Sequence, residues 1–432
     1  MAIALACAGA VAAPRVRNAE TLPAALLRAE QALALKSPDA AALFEHASHV
    51  AGESATAEVG MVRAYLAEGQ YRRALAFAHL VQGEHTRSNE AMAWMAYLND
   101  RSGQTGIALR MLEVARATQQ DDVALLCAQS EIFIDRQQAV RATTELDTWL
   151  ARNAAQPPII ALRHRASIAA NDKVSEGVWR KLLPTAYSQR LPQLATRDAE
   201  STGTWITPWF DELPAGSWQT SSGFIVDSGT HVITALPANT SGEIRVRDAK
   251  GNLRRATVER ALEDAGLVLL RLEQALPHDD APLAIAPRLF PGSPFHAIGF
   301  PVRGSTYAAL PTNTPGFFGR PANDGQQGML LGQAMPAGLA SAPVFNANAQ
   351  LAGFISPDTS TSRLLPAAVV LESFGIATTT GTSTARPGNA EIYERALSRV
   401  VLVAIVQPAT NPGGTRADVT KDSLKAMHAG VD

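Results

Sequence analysis

The sequence predicts a multidomain α + β protein, an α-solenoid followed by a β-rich unit, and three observations predict it. Residues 20–195 read as helix throughout and repeat at an offset of 34 residues. From about residue 200 the apolar residues fall instead into short strand-like runs separated by Gly, Pro, Asn and Asp. The chain has 432 residues, enough for two to three domains that each bury a substantial core.

Residues 1–13 come first, and they are small and apolar: Met1-Ala2-Ile3-Ala4-Leu5-Ala6-Cys7 through Ala13, ahead of Pro14-Arg15. They read as the apolar region and cleavage site of a secretory signal, with the cut at Ala10-Val11-Ala12, although no basic stretch precedes them. The other reading is a short apolar helix of the mature fold. Export to the periplasm or out of the cell is the expectation, and Ala4-Leu5-Ala6-Cys7 is a poor lipid-attachment box. No other stretch reaches the roughly 18 apolar residues of a membrane span.

In the helical stretch, Gly69-Gln70-Tyr71 with Ala74 and Phe77 recurs as Gly103-Gln104 with Ala108 and Met111, and the next step lands on Gln137 and Ala142. Tyr65, Asn99 and Phe133 keep the same register. The glycine ends a first helix at a tight turn, and the alanine lets a second helix approach it closely. The period, together with the run from Ala64 to Ala74, resembles the tetratricopeptide family. Stretches near 22–55 and 157–190 are degenerate, as terminal caps facing water would be. The resemblance implies a concave face that binds a peptide or partner protein; the other reading is an array that packs on its own β unit and binds nothing. Trp94, Tyr97 and Trp149 are expected in inter-helix core.

Beyond Leu182-Leu183-Pro184 the helical pattern fades, and Trp205, Trp209 and Trp218 mark the junction. They are expected to pack between domains in preference to forming an exposed docking surface. The β unit is placed at 200–377, a Thr/Gly/Ser linker at 378–389, and a helix–strand tail at 390–432.

Four segments of the β unit carry a pattern in order: Ser222-Gly223-Phe224-Ile225-Val226-Asp227 with His231-Val232-Ile233-Thr234-Ala235, Ala297-Ile298-Gly299-Phe300-Pro301, Gly338-Leu339-Ala340-Ser341-Ala342-Pro343, and Leu365-Pro366 through Phe374. This series resembles trypsin-like serine proteases of the bacterial HtrA-like branch, and the resemblance implies a chymotrypsin-fold double β-barrel. The family's histidine, aspartate and serine positions fall on Pro237, Gly266 and Ala340. A triad needs a nucleophile, a base and a carboxylate that fixes the base, so the resemblance implies that all three are lost. Three displaced substitutes stand nearby, Ser341, Asp264 and His231, expected as a turn serine, a turn-adjacent aspartate and a surface histidine. The amides of Gly338 and Ala340 would correspond to the family's oxyanion hole; alternatively Gly338 only supplies a positive φ to the turn.

The tail from Ala390 to Val406 resembles the helix and first strand that open such a protease domain, here placed last. One expectation is that it completes the first barrel of its own chain or of a neighbour; the other is a truncated second domain or an interfacial hairpin.

Composition narrows the function. A net charge of −2 and 18% charged residues argue against a nucleic-acid surface. Cys7 and Cys127 are the only cysteines, so there is no disulfide framework, and the nine histidines lack metal-ligand spacings. No cofactor is expected. The leading expectation is a non-catalytic, exported adaptor that binds protein or peptide partners. The alternatives are a serine endopeptidase with a rearranged site, or a periplasmic holding chaperone.

Overall fold

The computed structural model describes residues 20–51, 54–84, 88–188, 217–237, 240–279, 283–301, 308–322, 328–358, 362–380 and 385–406. The signal-like residues 1–13, Trp205, Trp209 and the last stretch of the tail lie outside them. Helices come first, in five consecutive pairs among the described residues: α1 Leu22–Ala34 with α2 Ala40–Ala51, α3 Ala55–Ala67 with α4 Tyr71–Glu84, α5 Asn89–Arg101 with α6 Thr105–Thr118, α7 Val123–Asp135 with α8 Ala139–Leu150, and α9 Pro157–Ala169 with α10 Lys173–Ser188.

One local device builds every pair. The residue closing each first helix sits in the left-handed region: Lys36 (φ 55°), Gly69 (81°), Gly103 (92°), Gln137 (61°) and Asn171 (57°). The next residue then donates its N–H to the carbonyl five residues back, as in Gln70 to Tyr65 at 2.8 Å and Gln138 to Phe133 at 2.7 Å. This is a Schellman cap, which satisfies helix-end carbonyls and reverses the chain in three residues. Three of the five positions are not glycine. The repeat is therefore conserved in backbone geometry where it fades in sequence, including the pairs at 22–51 and 157–188.

Charges on the first helices also follow the period. Arg101 reaches Asp135 at 2.8 Å, and Arg165 reaches Glu131 at 2.8 Å, each 34 residues along. Asp100 and Arg136 join this network at 2.9 Å, and Arg101, Asp100 and Asp135 are fully buried. Burial alone would raise the Asp100 pKa, but the guanidinium groups of Arg101 and Arg136 hold it below the usual carboxylate range. Trp94, Tyr97 and Trp149 are buried in the core, as expected.

The strands follow: β1 Ser217–Val226, β2 His231–Thr234, β3 Glu243–Asp248, β4 Leu253–Leu262, β5 Leu267–Leu272, β6 Ala284–Ile285, β7 Pro294–Gly299, β8 Thr312–Pro321, β9 Met329–Leu331, β10 Pro343–Asn346, β11 Leu351–Ile355, β12 Arg363–Pro366 and β13 Thr379–Thr380, with α11 Ala367–Ser373 between the last two. The chain then forms α12 Asn389–Leu397 and β14 Val400–Val406. A closed antiparallel barrel runs β1-β14-β3-β4-β5-β2. In the second sheet, β10-β7-β8-β9-β12-β11 returns to β10 through the β10–β11 pairing, making a second ring of six strands.

β14 sits between β1 and β3 of its own chain, with Val403 opposite both Ser221 and Val246. Val401 and Val403 enter the apolar interior with Ile225, Val232 and Leu270, while Val400, Leu402 and Ala404 join the core shared with the helices. Both faces are covered, so the strand is apolar at every position instead of alternating.

The two units meet along the row of helix-pair turns. Lys36 Nζ donates to the Gly251 carbonyl at 2.8 Å, a Cβ on Gly103 would come within 3.0 Å of Pro315 Cδ, and Asn313 Nδ2 donates to the Ser102 carbonyl at 2.9 Å. α12 wedges into the same junction: the Tyr393 and Tyr71 rings stack edge-on at 4.6 Å, Arg72 pairs with Glu394, and Tyr393 Oη donates to the Pro311 carbonyl at 2.6 Å. The largest of three apolar clusters runs through helices and strands alike, while each strand ring also has one of its own.

Candidate functional site

The segments carrying Pro237, Gly266 and Ala340 come together where the two strand rings meet. The β2–β5 ladder ends at Thr234 opposite Val268, which places Pro237 and Gly266 at the same end. Ala340 lies on the loop between β9 and β10, and its carbonyl accepts the Ser222 N–H at 3.3 Å. The adjacent Ser341 accepts the Ala235 N–H at 2.8 Å. A Cβ on Gly266 would lie 3.1 Å from Pro357, just past the Ile355 carbonyl that accepts the Ser341 N–H at 2.9 Å.

Hydroxyls line this seam. Ser341 Oγ is fully buried and donates toward the carbonyls of Ser222 at 2.7 Å and Ala340 at 2.6 Å. Ser221 Oγ meets Thr234 Oγ1 at 2.8 Å, and Ser222 Oγ accepts the Phe300 N–H at 2.8 Å while donating to the Gly338 carbonyl at 3.0 Å. The Ser341–Ser222, Ala235–Ser341, Ser222–Gly338 and Phe300–Ser222 bonds hold the first barrel against the second ring. No imidazole or carboxylate bonds to Ser341 among the described residues.

Two expectations about the loop need correction. Gly338 does not have a positive φ; it is required because a Cβ there would lie 2.5 Å from the carbonyl oxygens of Phe300 and Pro301. The left-handed residue is Ser341 itself, at φ 58°. Nor are the loop's amides left open as an oxyanion hole, since Gly338 N–H donates to the Pro301 carbonyl at 3.2 Å and Ala340 N–H to the Ala337 carbonyl at 3.3 Å. Leu339 explains part of this arrangement: it is fully buried in the second ring's core beside Phe295 and Val344 and pins the loop inward.

No protein-family model matches this chain, and no curated protein matches it.

The displaced candidates are dispersed. Asp264 is exposed in a single 3₁₀ turn, Glu263–Ala265. His231 opens β2 and is not a plain surface residue: its side chain is 17% exposed, with Nδ1 3.2 Å from Asp227 and Nε2 3.1 Å from Glu259. Pro237 is exposed and contributes only its carbonyl, which accepts the Thr240 hydroxyl at 2.6 Å. Sequence reading did not find Ser221, Ser222 and Thr234 as members of the seam, because serine and threonine in strands carry no periodic signal.

Proposed function

We propose that this chain is a non-catalytic, exported adaptor: a tetratricopeptide-like solenoid fused to a chymotrypsin-fold double barrel of the HtrA-like branch whose catalytic positions carry no reactive group. The observation that carries this reading is the buried, fully engaged Ser341 hydroxyl in a seam without a base. Nucleophilic catalysis requires a hydroxyl whose proton a positioned base can take, and here that proton is committed to a main-chain carbonyl. Two rings of six antiparallel strands meeting at a polar seam support the barrel assignment, and the recurrent left-handed cap at a 34-residue step supports the solenoid assignment. Residues 20–195, 200–377 and 390–432 are then solenoid, pseudoprotease domain and barrel-completing tail, after a signal at 1–13.

The β unit occupies the turn edge of the array, so partner contacts fall to its outer helices. There Ile107, Val140 and Val174 stand exposed near the starts of α6, α8 and α10. Cross-linking the exported full chain in its own cells tests the reading: one stoichiometric protein partner is expected of an adaptor, whereas a broad mixture of unfolded clients would favour a holding chaperone. Turnover of casein would favour the endopeptidase alternative.

A further inference from the structure

A cavity of about 460 Å³ opens on the outer side of the first barrel, away from the hydroxyl seam. Three independent features of the backbone and side chains converge on it. The β1–β2 turn at its mouth holds Asp227 (φ 48°), Ser228 (53°) and Gly229 (79°) successively in the left-handed region, a costly arrangement for two residues with side chains. Across from the turn, β4 carries a bulge: Val258 pairs with Leu270 and Arg260 with Leu269, leaving Glu259 as the extra residue. The bulge lets consecutive residues Glu259 and Arg260 both line the cavity, where a regular strand would send them to opposite faces. Finally, His231 Nε2 lies 3.1 Å from the Glu259 carboxylate, while its Nδ1 meets the Thr230 hydroxyl at 2.9 Å with the Asp227 carboxylate 3.2 Å away, so one ring stands between the two carboxylates.

The chemistry of the lining is mixed in a specific way. The two carboxylates keep solvent access, with 61% and 38% of their side-chain surface exposed. Arg260 reaches toward the end of α11, placing one N–H 3.4 Å from the Ser373 carbonyl, and the Arg399 side chain also lines the space. Leu269, Leu283, Phe374 and Ile376 supply apolar surface. A ligand of one sign would desolvate charges it cannot match, whereas a zwitterion with an apolar body complements all three kinds of surface. We propose that this cavity binds a short zwitterionic peptide of dipeptide size with apolar side chains, its ammonium held by Asp227 and Glu259 and its carboxylate by Arg260. The volume falls within the range of small-ligand sites. The site is independent of the seam and of the adaptor reading.

Titration calorimetry on the full chain tests it with L-leucyl-L-leucine, its N-acetyl derivative, which lacks the ammonium, and its C-terminal amide, which lacks the carboxylate. The dipeptide should bind saturably and each derivative about tenfold more weakly, the loss of one charge-assisted contact. Arg260→Gln should bring the dipeptide and its amide to equal affinity, and Glu259→Gln should narrow the gap between the dipeptide and its N-acetyl form. Both residues lie on the barrel surface, and melts of each variant confirm folding. Absence of saturable binding by the dipeptide, equal binding of all three compounds, or unchanged affinity ratios in both variants would overturn the proposal.

Discussion

Ser341 donates toward the Ser222 carbonyl at 2.7 Å while accepting the Ala235 N–H at 2.8 Å, so this one serine ties the β1 and β2 segments of the first barrel to the loop of the second ring. Its role is structural in the first instance. Replacing it by alanine leaves a buried amide without its partner, and Ser341→Ala is expected to lower stability by about 1–3 kcal/mol in urea unfolding.

The Arg101 network makes a second prediction. Arg101→Met removes the guanidinium between two fully buried carboxylates, Asp100 and Asp135. A loss of about 3 kcal/mol is expected, and added salt should alter it little because the charges are out of solvent. A loss below about 1 kcal/mol, as for a surface pair, would contradict the burial.

His296 gives the junction a pH dependence. Asn313 Nδ2 has two hydrogens, one for the Ser102 carbonyl and one for His296 Nδ1 at 3.0 Å, so the ring must be neutral to accept. Burial lowers the His296 pKa. The unfolded chain therefore binds the extra proton first. The stabilisation is complete above the ordinary histidine value of about 6.5 and is lost as pH falls from there through the folded value. Asp100 titrates lower still and does not obscure this window. Urea midpoints from pH 8 to pH 5 should fall more steeply for the native chain than for His296→Asn.

Gln137 is exposed and left-handed at φ 61°. Gln137→Gly relieves the Cβ strain and should raise stability by about 1 kcal/mol, a rise of about 1 °C in the melting temperature for a chain of 432 residues. The same change at Lys36 should gain less, because its Nζ bond to Gly251 is lost.

β14 is hydrogen-bonded on both edges. A chain ending at residue 388 leaves one edge of β1 and one edge of β3 open, and it should aggregate or lose cooperative unfolding of its β unit. An unchanged melt would show that the strand is dispensable.

These particulars also mark what the sequence could show. The 34-residue step was legible because Gly69 and Gly103 must be left-handed, whereas Gln137, Asn171 and Lys36 adopt the same backbone without a compositional sign. The apolar runs at 222–227, 231–235 and 390–406 were legible as strands or a helix and strand and correspond to β1, β2 and α12 with β14, whereas the burial of β14 on both faces was not read from them. The loop at Gly338 was recognisable in sequence, but its geometry was not: close approach to Phe300 and Pro301, not backbone twist, demands that glycine. Nor does any local pattern reveal a bulge at Glu259, since a bulge depends on the register of the partner strand.

Whether any side chain at the seam acts as a nucleophile is read out by labelling the full chain with a fluorophosphonate probe. No covalent adduct is expected at pH 7–8, with an identical blank for Ser341→Ala. A stoichiometric adduct that Ser341→Ala abolishes would contradict it.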